Sequence, residues 1–221
     1  MKSKGEPSEP NNIVPKILAQ IEETARKEFL PSIGPIKGKI IEDVIQEYKP
    51  KKALEIGTLH GYSAILIANI ILSGEYDNEN FNSERSSTEP ILISVEKDQR
   101  LANIARKNIE KARLSEKVQV INGDALEIIS RLKSKFKFNM IFLDATKSEY
   151  LKYLQLIEKY SLLNKRAVVV ADNVLIYENE MKDYLDYVRN SGKYISRTTE
   201  TSLEFTKNVK DALEVSINAD I

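Results

Sequence analysis

The sequence predicts an α/β protein with a doubly wound, mainly parallel sheet. Short apolar runs, which indicate buried strands, recur at residues 53–56, 91–95, 118–121, 140–143 and 167–171. Segments with the apolar period of a helix, such as residues 101–114, lie between these runs. Strands that alternate with helices favour parallel pairing, and 221 residues suit one core of this class. We therefore expect a single domain over residues 13–221.

The N-terminal region predicts a tail followed by two helices. Residues 1–12 are polar and lack the apolar core of a signal peptide, so we expect a flexible tail. Residues 13–29 carry apolar side chains at Ile17, Leu18, Ile21 and Ala25, the spacing of an amphipathic helix that ends before Pro31. A second helix is expected over residues 36–48. No apolar run is long enough to span a bilayer, which predicts a cytoplasmic protein without membrane partners.

Two other regions depart from simple alternation of strand and helix. Residues 73–90 are rich in Ser, Asn and Glu where a connection normally takes only a few residues, which predicts an exposed insertion. Either a solvated loop or a contact with a subunit or partner fits this composition. Residues 194–200 and 213–217 read as strands with a connection too short for a crossover helix. We expect them to form an antiparallel pair at the C-terminal end of the sheet.

Composition excludes several classes of function. Lys plus Arg and Asp plus Glu both number 33, so no global field attracts nucleic acid or an anionic membrane. The absence of cysteine excludes disulfide scaffolds, thiolate metal sites and cysteine nucleophiles. No G-x-S-x-G turn supports a hydrolase. His60, the lone histidine, has no carboxylate partner nearby in sequence and is interpreted as a packing or hydrogen-bonding residue.

Residues 54–63 predict a turn that binds a nucleotide cofactor. Gly57 and Gly61 follow the first strand, where backbone can approach a ligand and the N–H groups of the next helix face it. The glycines are three residues apart rather than in a G-x-G-x-x-G pattern, so NAD is the weaker choice. Glu96 ends the second strand, where a carboxylate can accept both ribose hydroxyls. Asp124 and Ala125 follow the third strand beside an expected adenine pocket.

Oxygen ligands follow the fourth and fifth strands. Asp144 ends the run at 140–143, and Asp172 and Asn173 end the run at 167–171. In a parallel sheet these ends lie at the same edge as the cofactor, so two carboxylates and one amide can converge there. An all-oxygen set suits Mg²⁺, and less selectively Mn²⁺ or Ca²⁺, whereas zinc usually requires His or Cys.

The sequences Asp144-Ala-Thr-Lys147 and Ala171-Asp172-Asn173-Val174 resemble the catechol and caffeoyl-CoA O-methyltransferase family, and the similarity runs from about residue 35 to the C-terminus. The resemblance implies transfer of a methyl group from S-adenosylmethionine to a small acceptor with vicinal hydroxyls. It implies Mg²⁺ held by Asp144, Asp172 and Asn173, with Lys147 as the general base. A homodimer is expected because dimers occur in the family.

The same resemblance implies further site residues. It assigns nine residues to the binding of S-adenosylmethionine: Ile33, Glu55, Gly57, Thr58, Ser63, Glu96, Asp124, Ala125 and Asp144. Among them, Ser63 is expected at the methionine end, Glu96 on the ribose and Ile33 packed beside the cofactor. Lys147, Asn173 and Glu204 are assigned to the acceptor. Glu204 is either the hydrogen-bond acceptor for the second hydroxyl of the substrate or a solvated glutamate at a strand end.

The sequence departs from the family around the acceptor. Ala145 and Thr146 stand where the catechol enzymes carry a histidine and an aromatic gate, which places catechol specificity in question. Phe29 and Pro31 lie near the acceptor-gating positions, although Phe29 also suits a buried helix end. Two alternatives stay open: methylation of a hydroxylated tRNA base, which the neutral charge disfavours, and a non-catalytic module that binds S-adenosylmethionine.

Overall fold

The computed structural model describes residues 13–74, 89–132, 136–204, 206 and 209–219. The predicted tail at residues 1–12 and most of the predicted insertion, residues 75–88, lie outside the described residues. Both predictions therefore stay untested.

Helices and strands alternate along the described chain as the periodicity predicts. The helices are α1 (Ile13–Glu28), α2 (Gly34–Tyr48), α3 (Tyr62–Ser73), α4 (Gln99–Lys111), α5 (Ala125–Leu132), α6 (Tyr150–Lys159) and α7 (Lys182–Asn190), with a 3₁₀ turn at Lys147–Glu149. The strands are β1 (Ala53–Ile56), β2 (Leu92–Glu96), β3 (Val118–Asn122), β4 (Phe138–Leu143), β5 (Leu163–Ala171), β6 (Tyr194–Ser202) and β7 (Lys210–Asn218). No helix among the described residues is long and apolar enough to cross a membrane.

The strands form one sheet in the order β3-β2-β1-β4-β5-β7-β6. Strands β1 to β5 pair in parallel, whereas β7 is antiparallel to both β5 and β6. The predicted fold class, including the antiparallel C-terminal pair, is confirmed. The strand order reverses between β1 and β4, and in such sheets ligands bind outside the carboxyl ends of the strands at this point.

Apolar side chains cover both faces of the sheet, because neighbouring residues of a strand point to opposite sides. Helices α1 to α4 pack on one face, against residues such as Phe142 and Val170. Helices α5 to α7 pack on the other face, against residues such as Leu143 and Ala171. Both layers consist of buried apolar side chains, so the sheet is covered on its two faces and its carboxyl edge remains for polar side chains.

Some boundaries differ from the predictions for identifiable reasons. Strand β5 begins at Leu163 rather than at residue 167, and β7 begins at Lys210 rather than at residue 213. Apart from the buried Ala212, the additional residues are partly exposed or charged, so an apolar run does not reveal them. Helix α2 begins at Gly34 instead of residue 36, because Pro35 is tolerated in a first turn where its missing N–H has no helical partner.

Candidate functional site

A cavity of about 430 Å³ opens at the carboxyl ends of β1 to β5. Most of the predicted site residues line it: Ile33, Gly57, Thr58, Ser63, Glu96, Asp124, Ala125, Asp144, Lys147 and Asn173. Glu55, Asp172 and Glu204 are buried behind this lining. The fold thus brings together residues from five strand ends, as the parallel topology requires.

The turn after β1 is pressed directly against the end of β4. Gly57 has a φ of +98°, and a Cβ atom built there would lie 2.0 Å from the backbone oxygen of Asp144. The Gly57 N–H donates to the Val95 carbonyl at 2.9 Å, and the Asp144 N–H donates to the Ile56 carbonyl at 2.9 Å. Only glycine fits between these strands, so it fixes the cofactor turn next to the first predicted cation ligand.

The Glu96 carboxylate organises the same turn. Its Oε2 accepts hydrogen bonds from the backbone N–H groups of Thr58 at 3.1 Å and Leu59 at 2.8 Å, and its Oε1 accepts one from Asp98 at 2.9 Å. An ionised carboxylate offers about four acceptor positions. The three backbone donors hold Glu96 in one orientation at the cavity wall and leave capacity for a ligand hydroxyl.

Glu55 lies behind the turn and supports it. The Ser94 hydroxyl donates to Oε2 of Glu55 and lies 2.5 Å from the hydroxyl of Thr58, whereas Oε1 has no partner among the described residues. Burial raises the pKa of Glu55 to about 7, although hydrogen bonds from Ser63 and Ser94 oppose the shift. Glu55 is therefore connected to the cavity-lining Thr58 through the Ser94 hydroxyl.

Asp124 combines a structural role with its place in the lining. Its carboxylate accepts a hydrogen bond from the Leu126 N–H at 3.0 Å, which caps the start of α5, and it pairs with Lys97 at 2.9 Å. Ala125 follows as the first residue of that helix. A capped helix start places backbone, rather than a long side chain, at this part of the cavity wall.

The predicted cation ligands follow adjacent strands. Leu143 and Ala171 are partners in the β4–β5 register, and the Asp172 N–H donates to the Leu143 carbonyl at 3.0 Å. Burial, and then the negative charge of Asp144, raise the pKa of Asp172 to about 6, while Lys37 opposes this shift. The two carboxylates are close enough to repel each other, a cost that a bound cation removes.

The donor atoms fit a hard divalent cation. Asp144 pairs with Lys147 through Oδ1 at 2.9 Å, and Asp172 pairs with Lys37 through Oδ1 at 2.6 Å, which leaves the other oxygen of each carboxylate for a ligand. In the part of the chain that the structure describes, no group of three or more His, Cys, Asp or Glu side chains could hold a metal ion. Besides the two carboxylates, Asn173, which follows Asp172 and lines the cavity, offers an amide oxygen. Oxygen donors of this kind are those that Mg²⁺ prefers.

Lys147 presents its amine to the same part of the cavity. Its Nζ lies 2.9 Å from Asp144 Oδ1 and 2.9 Å from the Tyr150 hydroxyl, and it stands 5.3 Å from the Tyr150 ring centroid and 5.9 Å from that of Tyr177. Tyr150 is fully buried and packs edge-on against Tyr184. The amine is thus held in one place by rigid neighbours.

Apolar and small side chains surround the mouth of the cavity. Ala145, Thr146, Pro31 and Tyr177 line it. Phe29 is 94% exposed, with a left-handed φ of 54°, so the interpretation of Phe29 as a buried helix end is wrong. The exposed ring lies two residues before the cavity-lining Pro31.

Glu204 has a structural role that the sequence did not indicate. It is buried, its Oε1 accepts a hydrogen bond from the Ile36 N–H at 2.6 Å, and its carboxyl carbon lies 2.5 Å from where a Cβ of Gly34 would stand. The carboxylate therefore caps the N-terminus of α2, where a negative charge is favourable. The solvated interpretation is wrong, and contact with the acceptor stays a prediction.

Sequence reasoning missed residues that complete the site. Lys37, Tyr150, Tyr177 and Asp211 all contact a predicted site residue or line the cavity. Lys37 was detectable, because it lies four residues before Ile41 on the apolar face of α2. The others carry no comparable local signal. His60 is buried at the cavity wall, and its carbonyl accepts a hydrogen bond from Asn108 at 2.9 Å.

Comparison with known proteins shows the family and supports the fold. The profile of the O-methyltransferase family matches residues 8–212. Catechol O-methyltransferase B of Danio rerio is 35% identical over 205 residues, which cover 91% of this chain and 71% of the relative. Catechol O-methyltransferase of Mus musculus is 31% identical over 214 residues, which cover 96% and 73%. A crystal structure of an O-methyltransferase from Bacillus cereus in complex with SAH shares the fold, with a TM-score of 0.75, 22% identity and coverage of 96% of this chain and 93% of that chain.

Proposed function

Since the chain belongs to the O-methyltransferase family and is an S-adenosylmethionine-dependent O-methyltransferase, we propose that it methylates a hydroxyl of a small, catechol-like acceptor in a reaction that depends on a divalent cation. One observation carries the proposal: Lys147, Asp144 and Asn173 line a single cavity beside the glycine turn, and Asp172 lies buried directly behind them. Cofactor, cation and acceptor sites are therefore adjacent.

The cofactor half of the cavity supports specific roles. Glu96, fixed by three backbone N–H groups, is placed to accept hydrogen bonds from the ribose hydroxyls. Ser63 is assigned to the methionine end, and Asp124 and Ala125 to the adenine. Ile33 provides an apolar wall near the entrance. These assignments orient the methyl-bearing end of the cofactor toward Asp144.

The acceptor half supports proton removal by Lys147. Asp144, Asp172 and Asn173 would hold a divalent cation, which would supply the Lewis acidity that lowers the pKa of a neighbouring hydroxyl. Lys147, in its neutral form, accepts the hydroxyl proton at Nζ. Tyr150 and Asp144 hold that nitrogen in place. We propose that this aligns the acceptor oxygen for attack on the methyl carbon, while the bond between that carbon and the sulfur of S-adenosylmethionine breaks.

The residues that line the mouth of the cavity support the proposal that the acceptor is planar. Tyr177 is 39% exposed and lines the cavity beside Asn173, so its ring can pack against an aromatic acceptor. Ala145 and Thr146 are smaller than the histidine and aromatic residue at these positions of the catechol enzymes. We propose that the site accepts catechols with bulkier substituents.

Removal of divalent cations is expected to abolish methyl transfer to catechols. We expect turnover to fall on the order of 100-fold or more after chelation and to return with Mg²⁺, because the Lewis acid is lost. The measurement is methyl transfer to a panel of catechols, with the corresponding monohydroxy phenols as controls. Calorimetric binding of S-adenosylmethionine serves as the control for an intact protein.

Full turnover without a cation would refute the proposed cation dependence. Binding of the cofactor without transfer to any catechol would instead favour a tRNA acceptor or a non-catalytic module. Salt-sensitive binding of tRNA separates these two outcomes.

Replacement of Glu96 by alanine is expected to weaken S-adenosylmethionine binding by about 10- to 100-fold. The change removes the ribose acceptor and also releases the backbone N–H groups of Thr58 and Leu59. Titration calorimetry measures the affinity, and Glu127→Ala, which alters an exposed pair with Arg131, is the matched control. Equal affinities of the two variants would contradict the ribose assignment.

A further inference from the structure

A buried polar network lies directly behind the candidate cation ligands. Lys37, in the first turn of α2, is 1% exposed, and its Nζ lies 2.6 Å from Asp172 Oδ1 and 2.5 Å from Asp211 Oδ2. Asp211, on β7, is completely buried. Two carboxylates thus share one ammonium group in the interior, which is stable only when every partner is in place.

Asp211 also contacts Asn173, which lines the cavity. The Asn173 side-chain Nδ2 donates to Asp211 Oδ2 at 2.8 Å, and the Ile176 N–H approaches Asp211 Oδ1 at 3.4 Å. An ionised carboxylate can only accept hydrogen bonds, so only the NH₂ end of the amide can face it. The amide oxygen of Asn173 is consequently the atom left for a ligand.

Asp172 is oriented by the same network. Its Oδ1 accepts hydrogen bonds from Lys37 Nζ and from the Asn173 N–H at 2.7 Å, whereas Oδ2 receives none within the described residues. Each of the two residues is therefore left with one oxygen that accepts no hydrogen bond within the described residues, namely Oδ2 of Asp172 and the amide oxygen of Asn173. Preorganised ligands of this kind depend on the groups behind them, whose loss typically weakens metal binding about 10- to 100-fold.

We propose that Asp211 is a positioning residue for the cation site, which turns the Asn173 amide oxygen toward the cation, and that Lys37 is the counter-charge that keeps Asp211 buried there. This inference rests on the proposed cation dependence. It extends that proposal to two residues outside the ligand set and explains why a lysine lies on the apolar face of α2.

Two double variants distinguish the effect of the orientation of the Asn173 amide from the effect of the charges of Lys37 and Asp211. Lys37→Met with Asp211→Asn removes both charges but retains an oxygen that can accept from Asn173 Nδ2. Lys37→Met with Asp211→Leu removes the same charges and also that acceptor. Binding of Mn²⁺ alone is measured by the spin-resonance signal of the free ion. Thermal unfolding and S-adenosylmethionine affinity are measured on the same preparations.

We expect the leucine variant to bind Mn²⁺ on the order of 10-fold more weakly than the asparagine variant, with cofactor affinity unchanged. Equal Mn²⁺ affinities of the two would overturn the positioning role and leave the proposed function intact. A wild-type protein that binds no Mn²⁺ would overturn both the positioning role and the proposed cation dependence. A purely structural role would lower the unfolding temperature without separating the two Mn²⁺ affinities.

The wild-type protein provides a test that does not depend on the folding of the leucine variant. The side-chain NH₂ signals of Asn173, assigned by their loss in Asn173→Asp, should exchange slowly with solvent both with and without Mg²⁺. Exchange at the rate of an exposed amide in either state would overturn the proposal. For Lys37, the single variant Lys37→Met should unfold at a lower temperature than the double variant with Asp211→Asn. An equal or higher temperature would refute the counter-charge role.

Discussion

Lys147→Ala is expected to lower kcat by about 100- to 10,000-fold while the affinity for S-adenosylmethionine is unchanged. The Nζ atom contacts Asp144 and Tyr150 on the acceptor side of the cavity, whereas the proposed cofactor contacts are made by Glu96 and its neighbours. Loss of the amine removes the proposed proton acceptor and leaves the turn after β1 intact. Single-turnover rates at saturating cofactor, Mg²⁺ and catechol measure the effect on chemistry.

The matched control for Lys147→Ala is Lys152→Ala, an exposed lysine on α6. The control variant should retain the wild-type rate, since it changes the net charge by the same amount at a distance from the cavity. An unchanged rate in Lys147→Ala would remove Lys147 from the mechanism. A parallel loss of cofactor affinity and rate would assign it to the shape of the cavity instead of to proton transfer.

Gly57→Ala is expected to destabilise the fold by about 3 kcal/mol or more, through strain at a positive φ and overpacking. The new Cβ would lie 2.0 Å from the backbone oxygen of Asp144 and 2.7 Å from its carbonyl carbon. Both are backbone atoms at the end of a buried strand, so they cannot rotate away. Since Asp144 must move, we also expect Mn²⁺ and S-adenosylmethionine binding to weaken together.

Gly192→Ala is the matched control, because Gly192 also has a positive φ, +75°, but a Cβ there has nothing within 4 Å. The control should lose only about 1 kcal/mol, the cost of the left-handed backbone for a residue with a side chain. Urea unfolding of both variants measures the free energies. Similar losses would show that conformational strain, and not the contact with Asp144, explains the need for glycine at position 57.

The sequence predicted the fold because its signals are local. Apolar runs mark the buried strands, and the sharp change from Ile56 to Gly57 or from Ala171 to Asp172 marks where each strand ends. In a parallel sheet these ends share one edge, so the positions of Glu96, Asp144 and Asn173 along the chain were enough to predict one cavity.

Residues whose roles depend on distant partners could not be predicted in this way. Asp211 lies 174 positions after Lys37 in the sequence. Glu204 lies 168 positions after Ile36, whose N–H group donates a hydrogen bond to it. Such contacts produce no periodic pattern of residues in the sequence. From the sequence alone, an aspartate in a strand is recognised only as a polar residue. The same limit explains why the capping of α2 by Glu204 was not predicted.

The sequence by itself determined the alternation of strands and helices and the glycine turn after β1, and it predicted the oxygen ligands and, through the family resemblance, Lys147. The tertiary structure alone decided that β7 inserts between β5 and β6, which brings Asp211 behind Asn173. It also decided that α2 delivers Lys37 to Asp172. The physical reason is that periodicity reports which face of an element is buried, whereas the partners of a buried charge are set by which elements pack together.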